Sequence, residues 1–223
     1  MLQNLPMVTC MTESALFTWT VVMPVKVLAR AKSRLAVLAG PRRSELALAL
    51  ACDTVSAVLH CPEVAHVLVV TADPEAGWRL ALLGAEVIAD EPAGGLNAAL
   101  KHGATLARRR WPGAGVAALA ADLPALRPAE LGRALRAAPI AAFVPDAAGV
   151  GTTMYAVPPG TAFQPRFGGA SRARHAAAGG YELDLPDIAG LRRDVDTPED
   201  LRAAVALGVG ARTASLAGEL LAV

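Results

Sequence analysis

Residues 18–55 read TWTVVMPVKVLARAKSRLAVLAGPRRSELALALACDTV, and the order of patterns in this run decides the fold. Seven mostly apolar residues, Trp19–Val25, predict a first buried strand. A cationic turn follows, with Pro24-Val-Lys26 and then Lys32-Ser33-Arg34. Beyond it, Arg43–Leu59 predicts a helix whose apolar faces come from Leu46, Leu48, Leu50, Val55 and Val58. Strand, charged loop and helix in that order open an α/β unit. The chain has only three lysines against eighteen arginines, and two of the three lie in this loop. Cations and free backbone N–H groups at a strand-to-helix turn suit a polyanion such as a nucleotide's phosphates. Lys26, Lys32 and Arg34 are therefore the nucleotide-side candidates, with Arg30 within reach. A solvated basic loop is the competing reading.

The alternation continues outward from this run. Strands are expected at 66–71, 85–90 and 116–121, and helices at 74–83, 95–109 and 128–137. Near-continuous apolar strands such as VLVV and VAALA mark parallel strands covered on both faces. Together they predict a single α/β domain with a mostly parallel central sheet and helices on both faces. Ligands of such sheets sit at the carboxyl ends of the strands. Lys26, Asp73, Asp90 and Asp122 all follow strand ends and are expected on one edge. After residue 140 the pattern loosens into two more strands, Ala142–Pro145 and 153–157. A Gly-rich turn then enters a helix at Ser171, an N-cap type. Near the C-terminus, Asp196 or Thr197 can cap a last helix that carries Pro198 in its first turn.

Composition narrows the class. A length of 223 residues fits one domain. The apolar share is 54%, much of it alanine, and the net charge of +1 sets up no field favouring nucleic acid or a membrane surface. Cys10, Cys52 and Cys61 form no C-x-x-C pair, which argues against a disulfide framework or zinc and for a reducing, cytoplasmic setting. No apolar stretch of membrane-spanning length lacks a charge or a breaker. Residues 1–18 lack the pattern of a signal peptide and are expected to form a flexible N-terminal extension, leaving 19–223 as the domain. There is no G-x-x-x-x-G-K-[ST], no G-x-G-x-x-G after the first strand and no G-x-S-x-G, which removes P-loop, dinucleotide and hydrolase readings.

Four further constellations carry chemistry. Asp122-Leu-Pro124 places a carboxylate, stiffened by proline, at a strand end, which suits a hard cation such as magnesium. In Asp194-Val-Asp196, an extended backbone puts both carboxylates on one face, and such a pair calls for a cation. Gly95-Leu96-Asn97 at a helix start lets backbone approach a flat ring, while Asn97 offers both a donor and an acceptor. An ordinary helix start is the bland alternative. Gly151-Thr-Thr153, with 166–171, makes a second anion site from hydroxyls, N–H groups and a helix start. Two anion sites with carboxylates between them describe group transfer between two phosphorylated molecules.

Pro24-Val-Lys26, Ala31-Lys-Ser-Arg-Leu35, Gly95-Leu-Asn97, Asp122-Leu-Pro124, Gly151-Thr-Thr153, Pro165-Arg-Phe-Gly168 and Asp194-Val-Asp196-Thr-Pro occur here in one order. In this the chain resembles the guanylyltransferases of deazaflavin coenzyme (coenzyme F-420) biosynthesis, over roughly residues 19–215. The resemblance implies a GT-A-like (Rossmann-like) nucleotidyltransferase that uses GTP and Mg2+. It implies transfer of GMP to the phosphate of phosphoenolpyruvate or 2-phospho-L-lactate, with release of pyrophosphate. Carried over by position, Thr153, Gly168 and Ser171 bind phosphoenolpyruvate, and Asp122, Asp194 and Asp196 hold the metal. Lys26, Lys32, Arg34, Gly95 and Asn97 face the nucleotide. A labile product implies handover to the next enzyme of the pathway. The arginine- and alanine-rich, lysine-poor composition points to a high-GC, actinobacterium-like source, where the family is associated with phosphoenolpyruvate. Molybdopterin and sugar-phosphate nucleotidyltransferases share the late Asp-Thr-Pro-Glu-Asp, but usually carry a glycine-rich first loop where this chain has Pro-Val-Lys.

Overall fold

The computed structural model describes residues 17–91, 94–138 and 140–222. The expected N-terminal extension therefore lies, as far as residue 16, outside the described residues. Phe17 and Thr18 are attached to the domain. The Phe17 ring lies 5.2 Å from that of Trp19, and the Thr18 carbonyl accepts a 2.9 Å hydrogen bond from Gly115 N–H.

The first half is β1 (Trp19–Val25), α1 (Ala36–Ala39), α2 (Arg43–Leu59), β2 (Val64–Thr71), α3 (Pro74–Leu82), β3 (Glu86–Ala89), α4 (Leu96–Arg110) and β4 (Gly115–Leu119). The second half is α5 (Pro128–Arg136), β5 (Ala142–Pro145), β6 (Thr152–Val157), α6 (Ser171–Ala177), β7 (Tyr181–Glu182), α7 (Ala189–Arg192), α8 (Pro198–Leu207) and α9 (Ala211–Leu221). The strands form one sheet in the order β3-β2-β1-β4-β6-β5-β7. β6 runs antiparallel to both β4 and β5, and every other pairing is parallel. The sheet is thus mostly parallel, as its apolar runs predict.

Side-chain alternation along β1 distributes the core. Val21 and Met23 join one apolar cluster with α2, α3 and α5, while Val22 joins another with Leu68, Val70 and the inner face of α4. Helices therefore cover both faces. Gly103 lets α4 close on β1, since a Cβ there would lie 2.5 Å from Val22 Cγ1. A third cluster, with Leu46, Leu50, Val195, Leu201 and Leu216, locks α8 and α9 behind α2.

In the C-terminal segment one expectation changes and one open choice is settled. Residues 191–192 belong to α7, so the extended piece before α8 is confined to about 193–196. The cap of α8 is Thr197, whose hydroxyl accepts from Asp200 N–H while the Asp200 carboxylate returns a bond to Thr197 N–H. This reciprocal cap leaves the Asp196 carboxylate free for other partners.

Candidate active site

The basic loop after β1 is held in place by its own contacts. Leu28, Ala31 and Leu35 are buried and anchor it. Leu28 N–H donates to Asp73 Oδ2 at 2.8 Å, and the Arg43 guanidinium donates to the Ala31 and Ala29 carbonyls. Asp73 also caps α3 by accepting from Ala76 N–H at 2.9 Å. Asp73 thus serves the loop from behind. Asp90 lies outside the cavity lining, and one of its carboxylate oxygens is buried without a hydrogen-bond partner among the described residues.

Lys32 is one of two non-glycine residues with positive φ among those described, at φ 54° and ψ 43°. That left-handed conformation costs on the order of 1–2 kcal/mol for a side chain with a Cβ. Its ion pairs offset the cost. The ammonium donates to Asp122 Oδ2 and, at 2.8 Å, to Asp196 Oδ1. Burial alone would pull the Lys32 pKa down, but the Asp122 and Asp196 carboxylates reverse the direction and drive it up.

The acids reach this point from two segments tied together by backbone. Thr54 Oγ1 accepts from Leu123 N–H at 2.9 Å, which fixes the turn after β4. Val195 N–H donates to the Asp122 carbonyl at 3.1 Å, which lays the 194–196 strip alongside it. Val195 is fully buried, so its neighbours Asp194 and Asp196 turn together into the cavity. The expected pairing of carboxylates on one face is present. Burial first, and then the nearby Asp122, Asp146 and Asp196 carboxylates, push the Asp194 carboxyl up to about 7. Asp196 moves the other way: burial would raise it, but Lys32, with Arg34 and Lys26 behind, holds it below the usual range.

These groups line one end of a cavity of about 340 Å³ at the carboxyl edge of the sheet. Lys26 is exposed on its rim; Arg34 is exposed outside the lining. Gly168, Gly169 and Ser171 also line the cavity. The Thr153 hydroxyl is not brought there: it is fully buried and faces the Val144 carbonyl at 3.5 Å. Because side chains alternate along β6, it is Thr152 that lines the cavity. Ser171 is the first residue of α6, and Ala170 occupies the cap position.

Asn97 also differs from expectation. Its amide nitrogen donates to the Phe167 carbonyl at 3.0 Å and its oxygen accepts from Phe167 N–H at 2.9 Å. Both ends of the carboxamide are spent on backbone, so Asn97 clamps the 165–169 turn in place of meeting a base. Gly95 precedes it at φ +87°, with open space where a Cβ would stand.

Sequence reasoning missed Asp146 and His175, and named Thr152 only as part of the Gly151–Thr153 anion site. Asp146 follows β5 and accepts from Val150 N–H (2.9 Å) and Gly151 N–H (2.7 Å), shaping the β5–β6 turn beside Asp194. An aspartate a few residues before a Gly-x-Gly turn was the available signal. His175 is buried, and nothing in its local sequence distinguished it.

The donor set suits a hard divalent cation. Four carboxylates, Asp122, Asp146, Asp194 and Asp196, share the cavity with Lys32 and Lys26, so negative charge is in excess. Among the described residues no three of them stand in a ready-made ligand cage. The expected three-acid cradle is thus not preformed; a magnesium ion asks for only one or two carboxylates, its shell completed by water and phosphate oxygens.

Comparison with known proteins places this geometry. Similar folds occur in a Desulfovibrio desulfuricans G20 protein described as a nucleotide-diphospho-sugar transferase and in a nucleotidyl transferase from Methanothermobacter thermautotrophicus. The first aligns at TM-score 0.71 and 20% identity, covering 92% of this chain and 95% of that one. The second aligns at TM-score 0.58 and 21% identity, covering 85% and 97%. Among curated relatives, the phosphoenolpyruvate guanylyltransferase of Thermomonospora curvata is 61% identical across 94% of this chain and 92% of its own length. That of Streptomyces coelicolor is 60% identical across 91% and 97%. The family description "Guanylyl transferase CofC like" matches residues 19–218. This chain, with its lysine-bridged acids at the edge of a mostly parallel sheet, belongs to the CofC-like guanylyl transferase family and is a nucleotidyltransferase.

Proposed function

We propose that this enzyme transfers the guanylyl group of GTP to the phosphate of phosphoenolpyruvate, giving enolpyruvoyl-2-diphospho-5'-guanosine and pyrophosphate. A phosphate oxygen of the acceptor forms a bond to the α-phosphorus of GTP. The bond from that phosphorus to the α,β-bridging oxygen breaks, and its electrons leave with pyrophosphate. The names of the curated relatives supply the acceptor. The observation that carries the reading is the convergence of Asp122, Asp194 and Asp196 with Lys32 in a cavity that the Gly168–Gly169 turn also lines.

Such a transfer asks the protein for alignment and charge compensation more than for covalent chemistry. Lys26 and Lys32 would meet the triphosphate. One or two of Asp122, Asp194 and Asp196 would hold magnesium, which supplies positive charge to the phosphate oxygens when bound. The glycine turn and Thr152 face the space left for the acceptor. Lys32 has a second duty, since it keeps Asp122 and Asp196 together. The burial of Cys52 and Cys61 as free thiols fits a reducing, cytosolic setting.

The test is pyrophosphate release from GTP and magnesium, with phosphoenolpyruvate and 2-phospho-L-lactate assayed side by side. Turnover with phosphoenolpyruvate is expected. Release with neither acceptor rejects guanylyl transfer, and release with phospholactate alone rejects the choice of acceptor.

A further inference from the structure

His175 sits beneath the acceptor wall and is 1% exposed. Its ring stacks on Tyr155 at 4.8 Å and Phe143 at 5.5 Å, and meets the edge of Phe167 at 5.3 Å. Both ring nitrogens are engaged. Nε2 accepts from the backbone N–H of Arg166 at 2.9 Å, and Nδ1 lies 3.0 Å from Thr152 Oγ1.

These partners decide where the proton is. A backbone N–H can only donate, so Nε2 must carry a lone pair. A neutral imidazole with a bare Nε2 has its proton on Nδ1. The environment keeps it neutral: burial first, with Arg174 and Arg166 adding to it, depresses the pKa to about 4 against a hydrogen bond to the Ser171 backbone. Nδ1 therefore carries the proton, with Thr152 Oγ1 and the Ser171 carbonyl as its acceptors, and the Thr152 hydroxyl cannot donate back to it. Its own proton is left to point elsewhere, and Thr152 is among the residues that line the cavity.

We infer that Thr152 is a binding residue for the anionic acceptor, its hydroxyl turned into an obligate donor by His175 acting as a positioning residue. One imidazole sets both halves of the acceptor wall. Through Nδ1 it orients Thr152 on β6, and through Nε2 it holds Arg166 at the start of the turn that presents Gly168 and Gly169. Asn97 clamps the next residue of that turn from the other side. The inference rests on the transfer reaction proposed above.

The experiment compares Thr152→Val, Thr152→Ser and His175→Phe with the unaltered enzyme. KM values for phosphoenolpyruvate and for GTP are measured separately. A hydrogen bond to a charged group predicts that Thr152→Val raises the KM for phosphoenolpyruvate about tenfold or more. The KM for GTP should move less than about twofold. Thr152→Ser keeps the donor and should restore most of the loss. His175→Phe keeps a stacked ring but removes both nitrogens, and should raise the same KM. Adding Thr152→Val to it should cost little more, because the two act through one hydroxyl. A purely structural histidine would give additive losses spread over both substrates, which would overturn its positioning role. Thr152→Val with an unchanged KM for phosphoenolpyruvate, in an active enzyme, overturns the Thr152 assignment while leaving the transfer reaction standing. An unaltered enzyme without turnover on either acceptor overturns both.

Discussion

Asp194→Asn should make the ligand-free protein more stable while it abolishes activity. In the fold, burial and three neighbouring carboxylates hold the Asp194 carboxyl at about 7, against an ordinary value of 3.8. Below pH 3.8 the carboxyl is protonated in both folded and unfolded chains, and the site costs nothing. Between 3.8 and 7 the unfolded chain gives up the proton and the folded one keeps it, so stability falls as pH rises. Above about pH 7 the cost is constant. At 1.36 kcal/mol for each pH unit, that separation corresponds to about 4 kcal/mol. Partial access of water to the carboxyl reduces the measurable effect to about 2–4 kcal/mol. Asparagine is nearly the same size and carries no charge, so it removes this term. The assay is urea unfolding of both proteins in chelator at a series of pH values from 4 to 8. The stability gap should be small at pH 4, widen through pH 7 and then level. Parallel pH profiles, with no widening gap, would refute the reasoning that a crowded, partly desolvated carboxylate is being held there for a cation.

Other outcomes follow from the same geometry. Magnesium at millimolar levels should flatten the pH dependence of the unaltered protein and leave that of Asp194→Asn nearly unchanged; thermal melts with and without the ion decide this. Asp122→Asn should reduce pyrophosphate release at least about 100-fold, the scale of losing a preorganised charge at a transfer site, with the circular dichroism spectrum retained; an active variant would remove Asp122 from the site. Asn97→Ala should cost about 1–3 kcal/mol, because it strips two partners from the Phe167 backbone. Faster hydrogen exchange at the Phe167 amide is the specific mark of that loss. Asp73→Ala should cost about 2–3 kcal/mol by uncapping α3 and stranding the Leu28 N–H, and should raise the KM for GTP more than that for the acceptor.

Much of this was legible where one segment carries its own signal. Trp19–Val25 and Arg43–Leu59 are the strand and helix that their apolar patterns predict. The Asp-x-Asp spacing gave two carboxylates on one side because a single buried valine between them orients the strip. The losses occurred where position depends on a partner far along the chain. Asn97 has the chemistry to read a base, but only the fold reveals that Phe167, seventy residues on, consumes it. Thr152 and Thr153 are equally suitable hydroxyls in sequence, and strand register alone decides which one reaches the cavity. Lys32 was visible as a cation, but not as the bridge between acids 90 and 164 residues away.

The reversed direction of β6 has a consequence for how this enzyme can change. The strands that run the common way deliver their carboxyl ends, and so the lysine loop and Asp122, to the half of the edge where GTP is proposed to bind. β6 delivers its beginning, so the other half, where the acceptor is proposed to bind, is shaped in part by the short hairpin from Asp146 to Gly151. The two halves are therefore wired to different parts of the chain. Insertions or swaps within that hairpin can retune which small phosphorylated acid is admitted without rebuilding the grip on the nucleotide.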